Sequence, residues 1–381
     1  MVTSRYCSHS YVLSLPQPLA FIPKEIRLSH TFRVFADYDI WNVRPDEGSE
    51  EFSWVPVVSW SNQRFELRFN DGGNPTHIIF EGNFSANGTP ATLGEVSGHI
   101  HTLQVFVNGV QEEYKDWAPG FDVRNIVNYH YDAEMAALSG DDLFVGSLNF
   151  PNDDAVQSLG GNDIFIGYGD SSGSWGDVFY GGAGTDTAVY RGNLNEYQVR
   201  SDFIYDLRID DGSTHVPGLT VRDSVLNRDG YDQLNEVERL QFNDINLAFD
   251  INGVAGQAYR LYKAAFNRQP DEGGLGYWIN ELDSGYSLLG AAYNFQASEE
   301  FVSLYGENIS DAEFINTLYL NVLHRAADQE GYDYWLGELA KDGYERAHVL
   351  REFSDSAENR DNVIDLIANG IRYEAVDPIS A

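Results

Sequence analysis

Five aspartates recur between residues 139 and 190 at intervals near nine residues, and this spacing constrains the fold more than any other feature. The spacings are 12, 9, 14 and 9 residues for Asp142, Asp154, Asp163, Asp177 and Asp186. Two positions after each aspartate comes an apolar residue, in turn Phe144, Val156, Phe165, Phe179 and Ala188. A fixed internal period predicts a solenoid in which each repeat packs on its neighbours.

Each part of this unit has a physical role. Glycine adopts the positive φ angles of a tight turn that directs backbone carbonyls toward an ion. Aspartate adds a hard anionic oxygen, which suits Ca²⁺ better than a softer transition metal. The three residues after it predict a short strand whose middle side chain points into the core. The candidate Ca²⁺ ligands are the five aspartates together with carbonyls near Gly140, Gly161, Gly182 and Gly184.

The spacing also predicts where ions would lie. Two units make one turn of a flattened parallel roll, so loops on the same edge belong to every second repeat. Asp163 then lies between Asp142 and Asp186 on the first edge, and the other two aspartates form the second edge. At most three ions fit between the paired loops. Asn152 and Trp175 replace glycine on the second edge, so we expect a weak or empty site there.

This pattern resembles the hemolysin-type (RTX) calcium repeat G-G-x-G-x-D-x-U-x, where U is a large apolar residue. Residues 181–189 carry its complete glycine pattern. The run NEVERLQFNDINLAFD, residues 235–250, is similar to the segment that closes such rolls, and we expect it to cap the open end. The resemblance implies a secreted protein that leaves the cell through a type I channel and folds on binding calcium outside.

The composition limits the classes of partner that the chain can bind. With 24 Lys and Arg against 59 Asp and Glu the net charge is −35, and no Lys or Arg occurs between Arg124 and Arg191. Nucleic acid is excluded as a partner because phosphate binding needs a cationic surface. Cys7 is the only cysteine, so no intrachain disulfide can form. No apolar run reaches 18 residues, so no membrane span is predicted.

From Gly256 onward the pattern changes to helix, and a second internal repeat appears. Seven features recur 57 residues later; in the first copy they are Leu261, Tyr262, Arg268, Asp271, Gly274, Tyr277 and Trp278. The motif R-x-P-D-x-x-G-L-x-Y-W resembles the helical domain of unknown function (DUF4214-like) often found behind hemolysin-type repeats. We expect the arginine and aspartate of each copy to pair at the turn between helices, and the tryptophans to be core residues.

The predicted fold class is multidomain: an all-β N-terminal sandwich, a short parallel calcium β-roll with a β cap, and an all-α C-terminal domain. The expected boundaries are an unassigned arm at 1–45, the sandwich at 46–135, the roll at 136–192, the cap at 193–252, the tandem helical domain at 253–370 and a tail at 371–381. Within the sandwich, Asn108-Gly109 is a strong hairpin signal.

The predicted function is calcium binding in an extracellular or cell-surface structural, adhesion or matrix protein. Its predicted partners are calcium ions and cell-surface or matrix glycans or proteins. We assign no catalytic residue: no H-E-x-x-H occurs, and the G-x-S-x-G match at residues 169–173 lies between two calcium-type turns. Two alternatives remain open, a secreted enzyme acting on polysaccharide or lipid through the sandwich, and a glycan-binding module that uses the helical aromatics.

Overall fold

Two β-sheets precede a helical unit in the computed structural model of the chain. The structure describes residues 30–34, 57–71, 74–91, 95–107, 110–122, 140–145, 155–158, 160–167, 169, 177–205 and 215–375. Of residues 1–45, predicted as an unassigned arm, only a strand at 30–34 is described. In the described residues no helix is long and apolar enough to cross a membrane.

The N-terminal strands form an antiparallel meander. They are β1 (His30–Val34), β2 (Val57–Trp60), β3 (Arg64–Asp71), β4 (Asn74–Ser85), β5 (Ser97–Val107) and β6 (Val110–Asp122). Each of β2 to β5 pairs with the next strand, and β1 pairs with β6. Val107 pairs with Val110, as a hairpin at the Asn-Gly signal predicts, and Asn108 and Gly109 themselves lie outside the described residues.

The sandwich predicted for residues 46–135 is wrong, because these strands lie in one sheet and not in two facing sheets. Consecutive hairpins pair each strand with its neighbour, and β1 joins this meander edge to edge with β7 (Asp142–Val145). The second layer comes from later in the chain. Phe65 and Phe80 of the meander share one hydrophobic core with Leu234, which lies in the opposite sheet.

After β7 the chain alternates between the two sheets. The strands are β8 (Ala155–Gln157), β9 (Ile164–Ile166), β10 (Val178–Tyr180) and β11 (Thr187–Val189). β7, β9 and β11 are parallel in one sheet, and β8 and β10 are parallel in the other. We call residues 142–189 the parallel coil. Its middle side chains meet inside, where the rings of Phe165 and Phe179 stack with centroids 4.9 Å apart.

The side chains that flank these inward positions are also buried. They are Leu143, Ile164, Ile166, Val178, Tyr180 and Val189. An exposed sheet face carries polar residues instead. Strands β9 and β10 are therefore covered on their outer faces as well, as are β7 at Leu143 and β11 at Val189.

The segment after the coil continues it. The strands are β12 (Tyr197–Tyr205), β13 (His215–Asp223), β14 (Tyr231–Asn235), β15 (Arg239–Gln241) and β16 (Asn246–Ala248). β14 lies parallel to β10, and β15 lies parallel to β11, whereas β12 and β13 form an antiparallel hairpin at the end of the smaller sheet. The predicted cap thus adds another turn to the coil.

Eight helices follow in the described residues. They are α1 (Val254–Phe266), α2 (Glu272–Asp283), α3 (Leu288–Ala297), α4 (Glu299–Tyr305), α5 (Asp311–Val322), α6 (Gln329–Leu339), α7 (Arg346–Ser354) and α8 (Ala357–Ile367). The region predicted as a tail, 371–381, begins with strand β17 (Ile371–Tyr373), which pairs with β16. Ile371 is apolar and buried, which explains why this segment folds back onto the protein.

The helical repeat is evident in matched contacts. Arg268 pairs with Asp271 at 3.6 Å, and Arg325 pairs with Asp328 at 3.3 Å, as expected from the repeated motif. Each aspartate also caps a helix, because its Oδ1 accepts a hydrogen bond from the glycine N–H three residues later. These contacts fix the start of α2 and of α6 in the same way.

A second pair of matched contacts was not predicted. Arg268 donates two hydrogen bonds to Glu300, and Arg325 donates two to Glu358. Each guanidinium also lies over a tyrosine ring, 5.0 Å from its centroid in both copies. Bidentate pairing gives arginine a defined orientation. The two glutamates are 58 residues apart, so they fall outside the 57-residue register used to align the copies.

Candidate metal centre

Three of the predicted ligands form one column, because the strands that follow them are paired in register. The backbone N–H of Asp142 donates to Oδ1 of Asp163 at 2.8 Å. The backbone N–H of Asp163 donates to Oδ1 of Asp186 at 2.9 Å. The carboxylates of Asp163 and Asp186 therefore each receive a hydrogen bond from the preceding turn, and their Oδ2 atoms have no hydrogen-bond partner in the described residues.

Glu238 extends this column beyond the repeats. Its Oε2 accepts a hydrogen bond from the backbone N–H of Asp186 at 3.0 Å, in the same manner as the aspartates below it. We call Asp142, Asp163, Asp186 and Glu238 the first column. Pattern reasoning missed Glu238 because it is a glutamate in the predicted cap. The available signal is Glu238-Arg239-Leu240, an acidic residue two positions before a large apolar one.

Asp177 and Asp232 form a second column on the opposite sheet. The backbone N–H of Asp177 donates to Oδ1 of Asp232 at 3.2 Å. The predicted partner of Asp177 on this edge, Asp154, lies outside the described residues. Asp232 was also missed, although the run from Gly230 to Leu234 matches G-x-D-x-U. The hairpin formed by β12 and β13 separates it from the other repeats.

Three of these carboxylates have an oxygen that needs a partner. Oδ2 of Asp163, Asp186 and Asp232 is buried and has no hydrogen-bond partner in the described part of the chain. All three residues are at most 1% exposed. Burying an ionised carboxylate without compensation costs several kcal/mol, so each one must either bind a cation or take up a proton.

Burial raises the pKa of all three carboxyls. It raises the pKa of Asp163 to about 6 and the pKa of Asp186 to about 8. The pKa of Asp232 is raised well above its usual range. The negative charge of a neighbouring carboxylate in the same column adds to the shift in each case. A protonated apo state and an ionised, metal-bound state are therefore close alternatives.

The predicted glycines bring the loops of the first edge into direct contact. Gly161 and Gly184 have φ angles of +116° and +151°, and Gly182 has a φ of +86°. A methyl group on Gly161 would lie 2.2 Å from the Gly140 carbonyl oxygen, and one on Gly184 would lie 1.7 Å from the Gly161 carbonyl oxygen. Only glycine fits at these positions, so the stacked loops hold backbone carbonyls close to the first column.

The carboxylates follow one another from strand to strand and do not converge on one point. In the residues that the structure describes, no group of three or more His, Cys, Asp or Glu side chains is placed to hold a metal ion. An ion between the loops would therefore need backbone carbonyls or water as well as carboxylates. Ca²⁺ accepts six to eight oxygens in irregular geometry, including backbone carbonyls. The unpartnered oxygens and the stacked glycine loops fit that ion.

The helical unit offers a different surface. Tyr277 and Tyr334, at equivalent positions of the two copies, are 44% and 57% exposed. The tryptophans next to them, Trp278 and Trp335, are half-buried against the helical core. The Trp278 ring meets Phe295 at 4.8 Å between centroids. The tryptophans thus contribute to the core, whereas the tyrosines are accessible to a partner.

A known protein family matches part of the helical unit. Among the curated proteins, none matches this chain. Residues 292–363, from within α3 into α8, match a family described as a domain of unknown function (DUF4214). The helical unit is therefore similar to that family over the end of the first copy and most of the second copy of its internal repeat.

Proposed function

We propose that this chain is a secreted calcium-binding protein of structural, adhesive or matrix type, whose parallel coil folds on binding calcium. The observation that carries the proposal is the pair of buried, unpartnered Oδ2 atoms of Asp163 and Asp186 in one column. Calcium bound at these oxygens would compensate the negative charge that burial otherwise disfavours. The glycine loops beside the column would supply neutral oxygens.

Calcium would make folding of the coil depend on whether the chain lies inside or outside the cell. Without the ion, the carboxylates of the first column must either repel one another or take up protons. Binding free energy at such a site is folding free energy, because the unfolded chain has no preformed site. Millimolar calcium outside the cell would then stabilise the coil after export. An extracellular or cell-surface location and export through a type I channel are part of this proposal.

Calorimetric titration of the full chain with calcium chloride tests the function, alongside thermal unfolding with and without calcium. We expect tight binding by the wild type and a clear rise in unfolding temperature. Asp186→Asn should bind fewer ions, because the amide keeps the acceptor for the Asp163 N–H but loses the charge. A site at ten times its dissociation constant adds about 1.4 kcal/mol of stability.

Asp342→Asn is the matched control, because Asp342 is exposed and lies between α6 and α7, in the helical unit. This variant should bind calcium with the wild-type stoichiometry. A wild-type chain that shows neither a binding isotherm nor a calcium-dependent unfolding temperature would rule out the proposed function.

Glycan binding is a second candidate function, favoured by the exposure of Tyr277 and Tyr334 at repeated positions. Aromatic rings with an exposed face can stack on the apolar faces of sugars. A glycan array probed with the wild type and with Tyr277→Ala/Tyr334→Ala tests it. Specific binding by the wild type that the double variant loses would support this function. Equal signals from the wild type and the double variant would rule out glycan binding through these tyrosines.

A further inference from the structure

The two copies of the helical repeat differ in what covers their second helix. In the first copy, strand β17 lies beside α2: the N–H of Glu374 donates to the carbonyl oxygen of Glu272 at 3.0 Å, and the Arg372 guanidinium pairs with the Glu272 carboxylate at 2.7 Å. The equivalent helix of the second copy is α6, which packs chiefly against α5 among the described elements. The same helix is therefore covered by a strand in one copy and less covered in the other.

Burial of the apolar residues reflects this difference. Leu275, Ile279 and Leu282 of α2 are 1%, 2% and 9% exposed. The apolar positions 57 residues later are only half-buried; they are Tyr332, Leu336 and Leu339 of α6. Removing apolar surface from water is favourable, so a partner that covers this face of α6 gains binding free energy.

A cavity of about 450 Å³ lies at the end of α6, between the two copies of the repeat. Its apolar lining includes Val302, Ile309 and Leu339, and Gly306 and Glu307 also line it. This volume is large enough for several side-chain groups of a bound molecule. The cavity therefore continues the less covered face of α6.

The corresponding place in the first copy is filled by the chain itself. Gly306 corresponds to Phe249 at the offset of 57 residues. Phe249 lies against Gly370, since a methyl group on that glycine would be 3.0 Å from the phenyl ring. The next residue, Ile371, is buried in the helical core. An extended segment with an apolar side chain thus occupies the place that is open in the second copy.

The carboxylate at the cavity also lacks the arginine that its equivalent has. Asp250 pairs with Arg239 of β15, which lies outside the helical unit. Glu307, 57 residues later, lines the cavity and has no ion pair in the part of the chain that the structure describes. Arg346 lines the cavity as well, but it pairs with Asp311 at 2.7 Å. A basic group on the occupant would pair with Glu307 as Arg239 pairs with Asp250.

The second copy admits a shorter segment than the first. The Glu374 carbonyl oxygen approaches α2 at Gly276, where a methyl group would lie 1.9 Å away. The equivalent position in α6 is Asp333, whose side chain prevents so close an approach. The occupant is therefore confined to the end of α6 at Leu339.

We propose that the cavity between the two copies binds a short extended segment of a partner protein, in which a branched apolar residue is next to an arginine or a lysine. The apolar side chain would contact Val302, Ile309 and Leu339, and the cation would pair with Glu307. This inference goes beyond calcium binding and does not depend on where ions lie in the coil. The competing occupant is a second copy of this chain.

Fluorescence polarisation with a labelled synthetic peptide tests the proposal on the full chain in calcium chloride. The peptide has the sequence of residues 368–373, ANGIRY, which carries the apolar and basic pair of β17. We expect saturable binding by the wild type that Glu307→Lys weakens by about tenfold or more, because like charges would then face each other. Asp365→Lys is the matched control, because Asp365 is exposed on α8 and does not line the cavity, and it should bind as the wild type does.

Absence of saturable binding by the wild type would overturn the proposal, as would equal binding by the wild type and Glu307→Lys. Peptides with Ile371→Asp or Arg372→Glu make the test independent of the folding of any protein variant. Both should bind more weakly than the parent peptide, and equal affinity of all three would also overturn the proposal. Sedimentation of the wild type without peptide tests the competing occupant. A concentration-dependent dimer that Glu307→Lys disrupts would assign the cavity to a second copy instead.

Discussion

Leu247 in β16 pairs with Arg372 in β17, although all eight described helices lie between them in the sequence. The chain therefore returns from the helical unit to the edge of the sheet that contains the first column. Ile371 packs into the helical core while its backbone extends the sheet. The carbonyl oxygen of Glu374 would lie 1.9 Å from a methyl group on Gly276 in α2, so glycine permits this close approach. The two units are joined by a strand and not only by a linker.

Ile371→Ala should destabilise both units together. Truncating a buried isoleucine costs about 2–5 kcal/mol, and here it also weakens the strand that joins helices to sheet. Urea unfolding followed by tryptophan fluorescence and by circular dichroism measures the loss. Arg372→Ala is the control, because its ion pair with Glu272 is exposed and contributes at most about 1 kcal/mol. Equal stabilities of the two variants would contradict a joining role for β17.

The repeated aromatic pairs should respond differently to truncation. Trp278 is half-buried and contacts Phe295, so Trp278→Ala should cost up to about 3 kcal/mol, less than a fully buried indole. Tyr277→Ala removes a more exposed ring and should change stability by about 0.5 kcal/mol or less. Trp335 and Tyr334 provide the same comparison in the second copy. Thermal unfolding of the four variants checks it, and a Tyr277→Ala loss as large as that of Trp278→Ala would refute the assignment.

Asp163 should matter more for calcium than Asp154. Asp163 has neighbours on both sides within the first column, to which it is joined by hydrogen bonds with Asp142 and Asp186. Asp163→Ala therefore disturbs two inter-loop sites, whereas Asp154 belongs to one in the predicted arrangement. Calcium titration should give the lower stoichiometry for Asp163→Ala, and thermal unfolding the lower stability. Equal losses from the two substitutions would mean that ions do not lie between alternate loops.

The sequence predicted the column of aspartates because its period is local. Two positions separate each aspartate from the apolar residue of its strand, and alternate units return to the same edge. Glu238 and Asp232 could not be aligned in this way, since the hairpin of β12 and β13 separates them from the other repeats. Their strands are placed by pairing with β11 and β10, which is a tertiary property. Local motifs around them are too short to be significant alone.

The predicted sandwich failed for a related reason. Alternating apolar residues such as Phe65 and Leu67 indicate that one face of a strand is buried, but not what covers that face. The covering layer comes from strands more than 100 residues later, including β13 and β14. The helical repeat was easier to predict, because its capping aspartates and paired arginines act within a single turn of chain. Nonlocal partners are the part of this fold that pattern reasoning cannot supply.

The metal-free protein should lose stability as pH rises. Burial raises the pKa of Asp163 to about 6 and the pKa of Asp186 to about 8, both above the ordinary value of 3.8. Between pH 3.8 and these raised pKa values, the two carboxyls therefore bind more protons in the folded state than in the unfolded state. Stability from these groups is present at low pH and is lost as pH rises through the folded pKa values. With excess chelator, the unfolding temperature should fall from about pH 5 to about pH 8.

Calcium should reverse this trend, because it binds the ionised carboxylates and competes with protons for them. The difference between the unfolding temperatures with and without calcium should therefore grow with pH over the same interval. Asp186→Asn removes one of the carboxyls whose pKa is raised, so its metal-free unfolding temperature should depend less on pH than that of the wild type. Carboxylates with a lowered pKa, such as Asp271 and Asp328, stay ionised throughout this range and do not obscure the effect. A wild-type unfolding temperature that stays constant or rises with pH in chelator would show that the column is not protonated in the metal-free state.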